Sequence, residues 1–387
     1  MSNPDQTPVR GSAGALLVAG ASGVIGAAAV EHFAALPGWR VIGLSRRRPD
    51  VAADLAFEHL ALDLADPDAC RRAADGLTGV THLIYAALFE KPGLVAGWRE
   101  ADQMATNLAM IRNLMDPLLA SAPGLRHVSV LQGTKAYGAH VHPIAVPARE
   151  SAPRDPHDNF YWLQEDYIRA AQKGAPWSFT IWRPQIVFGG ALGVAMNLIP
   201  ILGAYAAICR ELGLPFQCPG GAHDNLIEAV DADLIAAALA WAAQAPAAQG
   251  ETFNITNGDV MAWPNVWPAI AGAVGLEPAF GPELSLAAFL PAHAEVWDRI
   301  VAKHGLRPIR MADLLGQSHH YADLLFAHGA QQTRPPVLVS TIKLRRAGFG
   351  DCIDTQDMFR KWLGRLADRG VLPPAAESSI SAPKFPS

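Results

Sequence analysis

The stretch from Ala15 to Leu36, "ALLVAGASGVIGAAAVEHFAAL", decides the fold. Its opening, "ALLVAG" (15–20), is a short apolar run ended by glycine, as expected of a buried strand. The segment from 23 to 36 has helical composition. Between them Gly20, Gly23 and Gly26 stand at G-x-x-G-x-x-G spacing. Gly20 allows a tight turn after the strand, Gly23 lets backbone approach a pyrophosphate, and Gly26 permits close helix–sheet packing. A glycine triplet alone is weak evidence; a strand before it and a helix after it make the signal strong. The helix N-terminus then holds negative charge.

Outward from this point, strands and helices alternate. Strands are expected at 39–47, 57–66, 81–88, 125–133 and 177–189, the last leaving the sheet. Helices are expected from Asp66, as a cap before Pro67, from Trp98 to Leu119 and from Tyr161 to Gln172. This alternation predicts an α/β protein with a doubly wound parallel Rossmann sheet. Residues 1–12 read as a flexible arm, 13–189 as the dinucleotide domain and 372–387 as a loose tail. Residues 190–371 read as a smaller, mainly helical substrate lobe interleaved with late Rossmann elements.

Composition narrows the function. The chain has 387 residues, half of them hydrophobic, and a net charge of −5, which argues against a general nucleic-acid binder. Cys70, Cys209, Cys218 and Cys352 form no C-x-x-C pair, so buried free thiols in a reducing cytoplasm are expected and a zinc site is not. From Pro184 to Cys209 there is no charge over 26 residues. Pro184, Gln185, Asn197 and Pro200 favour a buried, substrate-lining segment there over a membrane span. His140 and His142 lack a third clustered ligand and read as a polar loop. His319 and His320 are assigned to a surface loop or pocket rim, and "DCID" (351–354) to a turn before the last helix.

The end of the second strand selects the cofactor. An acidic residue there would bind a ribose 2′-hydroxyl, but "GLSRRRP" offers Arg46 and Arg47, which suit a 2′-phosphate. NADPH/NADP+ is therefore expected, with Asp63 and Leu64 flanking the adenine and Ala87 and Gln132, at the ends of later strands, beside the cofactor. Catalysis poses a difficulty. A short-chain reductase usually pairs its tyrosine with a lysine four residues on, whose ammonium assists a phenol of pKa near 10. Here Tyr161 is followed by Glu165 at that position. Lys135, just after the fifth strand in "LQGTKAYG", lies where a doubly wound sheet binds its ligand and can supply the charge from a loop.

"GTKAYG", "NFYWLQED" and "WRPQIVFGGALGVAMNLIPILGAYAAIC" resemble the plant progesterone 5β-reductase and iridoid synthase-like enzymes, extended short-chain reductases with G-x-K-H-Y and N-F-Y-Y-x-x-E-D motifs. The resemblance runs from about residue 15 to 370. It implies reduction of the carbon–carbon double bond of enones with NADPH, and it puts the catalytic lysine on Lys135 and the tyrosine on Tyr161. It further implies that Ser22, Gly23 and Val24 touch the phosphates and Val187 the nicotinamide, with Val194, Ala195 and Met196 nearby. The sequence departs from the pattern at Ala136 for His, Trp162 for Tyr and Leu88 for an aromatic near the substrate. Leu88, Tyr137, Phe188, Met196 and Leu198 are the expected substrate contacts. Expected partners are a small hydrophobic enone and, as oligomer, a homodimer. Direct carbonyl reduction and a sugar-nucleotide epimerase or dehydratase are the alternatives.

Overall fold

A parallel sheet needs strands covered on both faces, and the first strand shows why the apolar run forms one. The computed structural model describes residues 13–91, 98, 100–221 and 225–375. The strands are β1 (Gly14–Ala19), β2 (Trp39–Ser45), β3 (Glu58–Ala61), β4 (His82–Tyr85), β5 (His127–Leu131), β6 (Ser178–Pro184), β7 (Ile186–Phe188), β8 (Phe216–Gln217), β9 (Ala229–Asp231), β10 (Glu251–Ile255) and β11 (Pro278–Ala279). Flanking helices are α1 (Val24–Ala35), α2 (Pro67–Ala74), α3 (Ala101–Ser121), α4 (Phe160–Gln172), α5 (Ile199–Leu212) and α6 (Ala232–Ala242). Leu16 and Val18 of β1 pack with Val30 and Phe33 of α1 and Ile235 of α6. Leu17 and Ala19 face the other way, onto Ile111 and Leu114 of α3 and Ile168 of α4. This period-two division puts helices on both sides of the sheet.

Seven strands run in the order β10-β6-β5-β4-β1-β2-β3, every neighbouring pair parallel. Strand order reverses between β1 and β4, and at such a switch point ligands bind beyond the carboxyl ends of the strands. The strand expected at 177–189 is two strands. β6 stays in the main sheet, the chain turns at Gln185, and β7 pairs with β9 in a separate small sheet. The long helix starts at Ala101, leaving Trp98 outside it. Asp66 caps α2 as expected, accepting from the backbone N–H groups of Asp68 and Ala69.

The second lobe comprises α5, α7 (Trp263–Ala273), α8 (Leu286–Ala292), α9 (Ala294–His304), α10 (Met311–Leu315), α11 (Ser318–Leu325), α12 (Ile342–Arg346) and α13 (Thr355–Asp368). All but α12 contribute to one core around α5, whose residues Ile199–Cys209 are all buried. The uncharged 184–209 run is thus a central packing helix and its lead-in. Among the described residues no helix is long and apolar enough to cross a membrane. α6 and β10 return to the Rossmann layers. Leu372, assigned above to the loose tail, is buried against Gly203 of α5, so the packed segment extends past 371. The expected arm, 1–12, and residues 376–387 of the tail lie outside the described residues. Cys70, Cys209 and Cys218 are buried free thiols; Cys352 is free but exposed, because the "DCID" segment, which forms no turn, lies largely at the surface.

Candidate active site

A crevice of about 1110 Å³ opens along the carboxyl edge of the sheet. That exceeds the roughly 300–1,000 Å³ usual for a single ligand and suits a dinucleotide together with a small substrate. Gly20 has φ +86°, and a Cβ on it would meet the backbone of Ala86 at 2.7 Å, so β1 and the turn after β4 close on one another there. A Cβ on Gly26 would collide with the Gly20 carbonyl. The first turn of α1 carries no acidic residue, and its N-cap Gly23 makes no side-chain hydrogen bond. These N–H groups are therefore open to an anion, which fits a pyrophosphate. Ser22, Gly23, Val24, Asp63, Leu64, Ala87, Val187, Val194, Ala195 and Met196 line the crevice with Gly20. Gly26 works from behind, through close packing. Arg46 and Arg47 also line it, whereas Arg48 turns onto the face of Phe57 at 4.5 Å.

The two halves of the expected catalytic pair meet in this crevice. Lys135 sits in a short 3-10 turn, Thr134–Tyr137, just after β5. Tyr161 sits in the first turn of α4. A Cβ on Gly133 would lie 3.4 Å from the Tyr161 hydroxyl, so the phenol reaches the end of β5. Asn159 joins the two elements. Its Oδ1 accepts from the Tyr161 backbone N–H at 3.0 Å as the helix cap, and its Nδ2 donates to the Lys135 carbonyl at 3.0 Å. The Lys135 ammonium lies over the Trp98 ring, 3.5 Å from its centroid. Burial brings its pKa down to about 8, with nearby Glu90 acting in the opposite direction. Burial, then the charges of Glu90 and Tyr321, push the Tyr161 phenol well above its ordinary value, so it stays a hydrogen-bond donor at neutral pH.

Glu165, the residue in place of the usual lysine, has a different task. It is buried and accepts from Arg169 at 2.9 Å and Arg183 at 3.5 Å. Gln132 bridges it to the site: Nε2 donates to the Tyr161 carbonyl at 3.1 Å and to Glu165 at 3.3 Å, while Oε1 accepts from Arg183 at 3.2 Å. Gln132 lines the crevice, yet its amide is engaged in holding α4 against β5 and β6.

Three expected substrate contacts are not in the crevice. Phe188 and Leu198 are fully buried in the second core: β7 turns Phe188 into the helical lobe, and Leu198 stands at the N-terminus of the buried helix α5. Tyr137 points away, and its hydroxyl donates to Asn254 at 2.7 Å. Leu88 and Met196 do line the crevice. Glu90, Trp98, Asn159 and Tyr321 were missed. Glu90 carried a legible signal, a carboxylate just past the buried fourth strand at the ligand edge. Tyr321 lies in the "QSHHYAD" segment (317–323), which is helix α11 with Tyr321 on the crevice wall. Among the described residues no group of three or more metal-ligating side chains occurs. His140 lines the crevice, while His142 is paired with Asp155 at 2.9 Å.

The strand order, the crevice at the switch point and the split tyrosine–lysine pair define an extended short-chain dehydrogenase/reductase. Solved structures share this fold. The Bordetella bronchiseptica enzyme WbmG in complex with NAD aligns with a TM-score of 0.61 at 19% identity, covering 97% of this chain and 100% of that one. UDP-glucose 4-epimerase from Bifidobacterium longum, in complex with NAD+ and UDP, aligns at 0.63 and 14% identity, covering 92% and 99%. The chain belongs to the PRISE-like Rossmann-fold family, whose domain description matches residues 74–319. The (S)-8-oxocitronellyl enol synthase of Antirrhinum majus is 32% identical over 378 residues, 92% of this chain and 92% of that protein. The 3-oxo-Δ4,5-steroid 5β-reductase of Arabidopsis thaliana is 31% identical over 376 residues, again 92% of each.

Proposed function

We propose that the protein reduces the activated carbon–carbon double bond of an enone with NADPH. The observation that carries this is the convergence of Tyr161 and Lys135, from separate elements, on one crevice. The Arabidopsis relative is named as a reductase of a 3-oxo-Δ4,5-steroid, a conjugated enone, and the Antirrhinum relative for forming an enol. Both products follow from hydride addition at the β-carbon. NADPH, when bound, supplies that hydride. The chain's own groups deal with the charge that then develops on the carbonyl oxygen. The Tyr161 phenol donates a hydrogen bond to the oxygen, and the Lys135 ammonium adds positive potential from the same wall. Trp98 and the apolar residues around it exclude water, which strengthens both interactions. Arg46 and Arg47 favour a 2′-phosphate and hence NADPH. The free cysteines accord with a reducing, cytoplasmic setting.

An epimerase reading is disfavoured by Glu165, whose carboxylate is tied to Arg169 and Arg183 where that chemistry needs a lysine. The deciding experiment follows NADPH consumption across a panel of enones and saturated ketones, with product analysis. A saturated ketone or its enol from an enone supports the proposal. An allylic alcohol would replace it with carbonyl reduction.

A further inference from the structure

Hydride addition leaves an enolate, and the completed reduction needs a proton at the α-carbon. Tyr161 faces the oxygen in the reading above, so the carbon requires a second group. Glu90 follows β4 and lines the crevice beside Lys135 and Tyr161. Its Oε1 accepts from the Trp98 indole N–H at 2.6 Å, which fixes the carboxyl group. Its Oε2 is buried and has no hydrogen-bond partner among the described residues. A buried carboxylate oxygen without a donor is costly, whereas a protonated one carries a hydrogen to give. Resting on the enone-reductase reading, we infer that Glu90, once its carboxyl group turns to bring Oε2 to the crevice, is the acid that protonates the α-carbon of the enolate.

The step balances. Hydride and its electron pair form the β-carbon–hydrogen bond, and the former π pair becomes the enolate. The Glu90 O–H bond breaks as the α-carbon–hydrogen bond forms, and the resulting carboxylate regains a proton from solvent. The surroundings support an acid at this point. Burial raises the pKa of Glu90; Lys135 and the Trp98 hydrogen bond oppose this but do not reverse it. Among the described residues the titratable groups facing it include Lys135 after β5, Tyr161 on α4 and Tyr321 on α11, and both phenols are themselves pushed up and stay neutral. Lys135 then stabilises the carboxylate that the transfer leaves behind.

The test uses the full chain with NADPH and an α-methyl enone from the panel that it reduces, in D2O, reading the configuration and deuterium content of the α-carbon. Wild type is expected to give one α-configuration. Glu90→Gln retains an acceptor for Trp98, so a purely packing role would survive it. It should lower kcat roughly 100-fold, the range of a lost general acid, leave the KM for NADPH unchanged and yield both α-configurations. Glu90→Asp should recover part of the rate and the bias. The wild-type loss of kcat as pH rises through the Glu90 titration should vanish in Glu90→Gln. In the ligand-free protein, an infrared band of a protonated carboxyl should also be lost in Glu90→Gln. Unchanged rate and configuration in Glu90→Gln, or both configurations from wild type, would overturn the assignment in favour of solvent. Failure of wild type to reduce the double bond of any enone would instead overturn the underlying reading.

Discussion

On the proposed mechanism, Lys135 places stability and chemistry in opposition. Its pKa near 8 lies below the ordinary 10.5, so between these values the unfolded chain holds more protons than the folded one. Stability contributed at this site therefore rises with pH across that window, and below it the buried charge is a net burden. Lys135→Met should stabilise the fold by about 2–3 kcal/mol at pH 7, at most, with the gain fading towards pH 10. Paired urea titrations of wild type and variant check this. The same variant should lose most turnover, and wild-type turnover should fall as pH passes through about 8, where Lys135 loses its charge. In the proposed reading Arg46 and Arg47 carry the cofactor choice. Charge-assisted hydrogen bonds of this kind are worth roughly 1.5–3 kcal/mol, so replacing both with alanine should cut the preference for NADPH over NADH by at least tenfold. An unchanged ratio of kcat/KM values for the two cofactors would remove the assignment.

At the scale of elements, α4 is held to the strand ends by a polar set that also positions its tyrosine. Asn159→Ala should cost about 1 kcal/mol as a lost cap. Asn159→Asp keeps the cap oxygen but sets a buried carboxylate oxygen against the Lys135 carbonyl, so it should lose turnover together with some stability. Equal activity in Asn159→Asp would show that the turn bearing Lys135 needs no such tie. Glu165 permits a sharper trial. Restoring the usual motif with Glu165→Lys would set a cation against Arg169 and Arg183 and leave both without their carboxylate. Breaking a buried pair in this way costs roughly 3–5 kcal/mol, so denaturant titration should show a large loss rather than a repaired enzyme. Introduced into Lys135→Met, the same change should not restore activity.

Across the whole molecule, the glycine turn, the alternating layers and the place of Tyr161 and Lys135 on one crevice were legible, because period-two burial and strand-end geometry leave traces in local sequence. The wall opposite was not. Phe188 and Leu198 looked like pocket residues in an uncharged run, yet apolar composition does not say whether a side chain meets a ligand or a neighbouring helix. Tyr321 and Trp98 reach the crevice from elements far apart in the chain, and no local period announces that. The crossing of the two lobes has a consequence for the order of events. A Cβ on Gly193 would meet the Asp313 carbonyl at 2.6 Å, and one on Gly316 would meet Gly193 equally closely. Ser318 donates to the Val194 carbonyl at 2.8 Å and accepts from the Asn197 N–H at 3.0 Å. The segment expected against the nicotinamide is thus fastened to α11, the helix that bears Tyr321. In the proposed reading the floor for one ligand is the flank of the berth for the other, so the dinucleotide should enter first and leave last. Steady-state patterns test this: NADP+ should compete with NADPH but not with the enone, and random addition would show that the two berths fill independently.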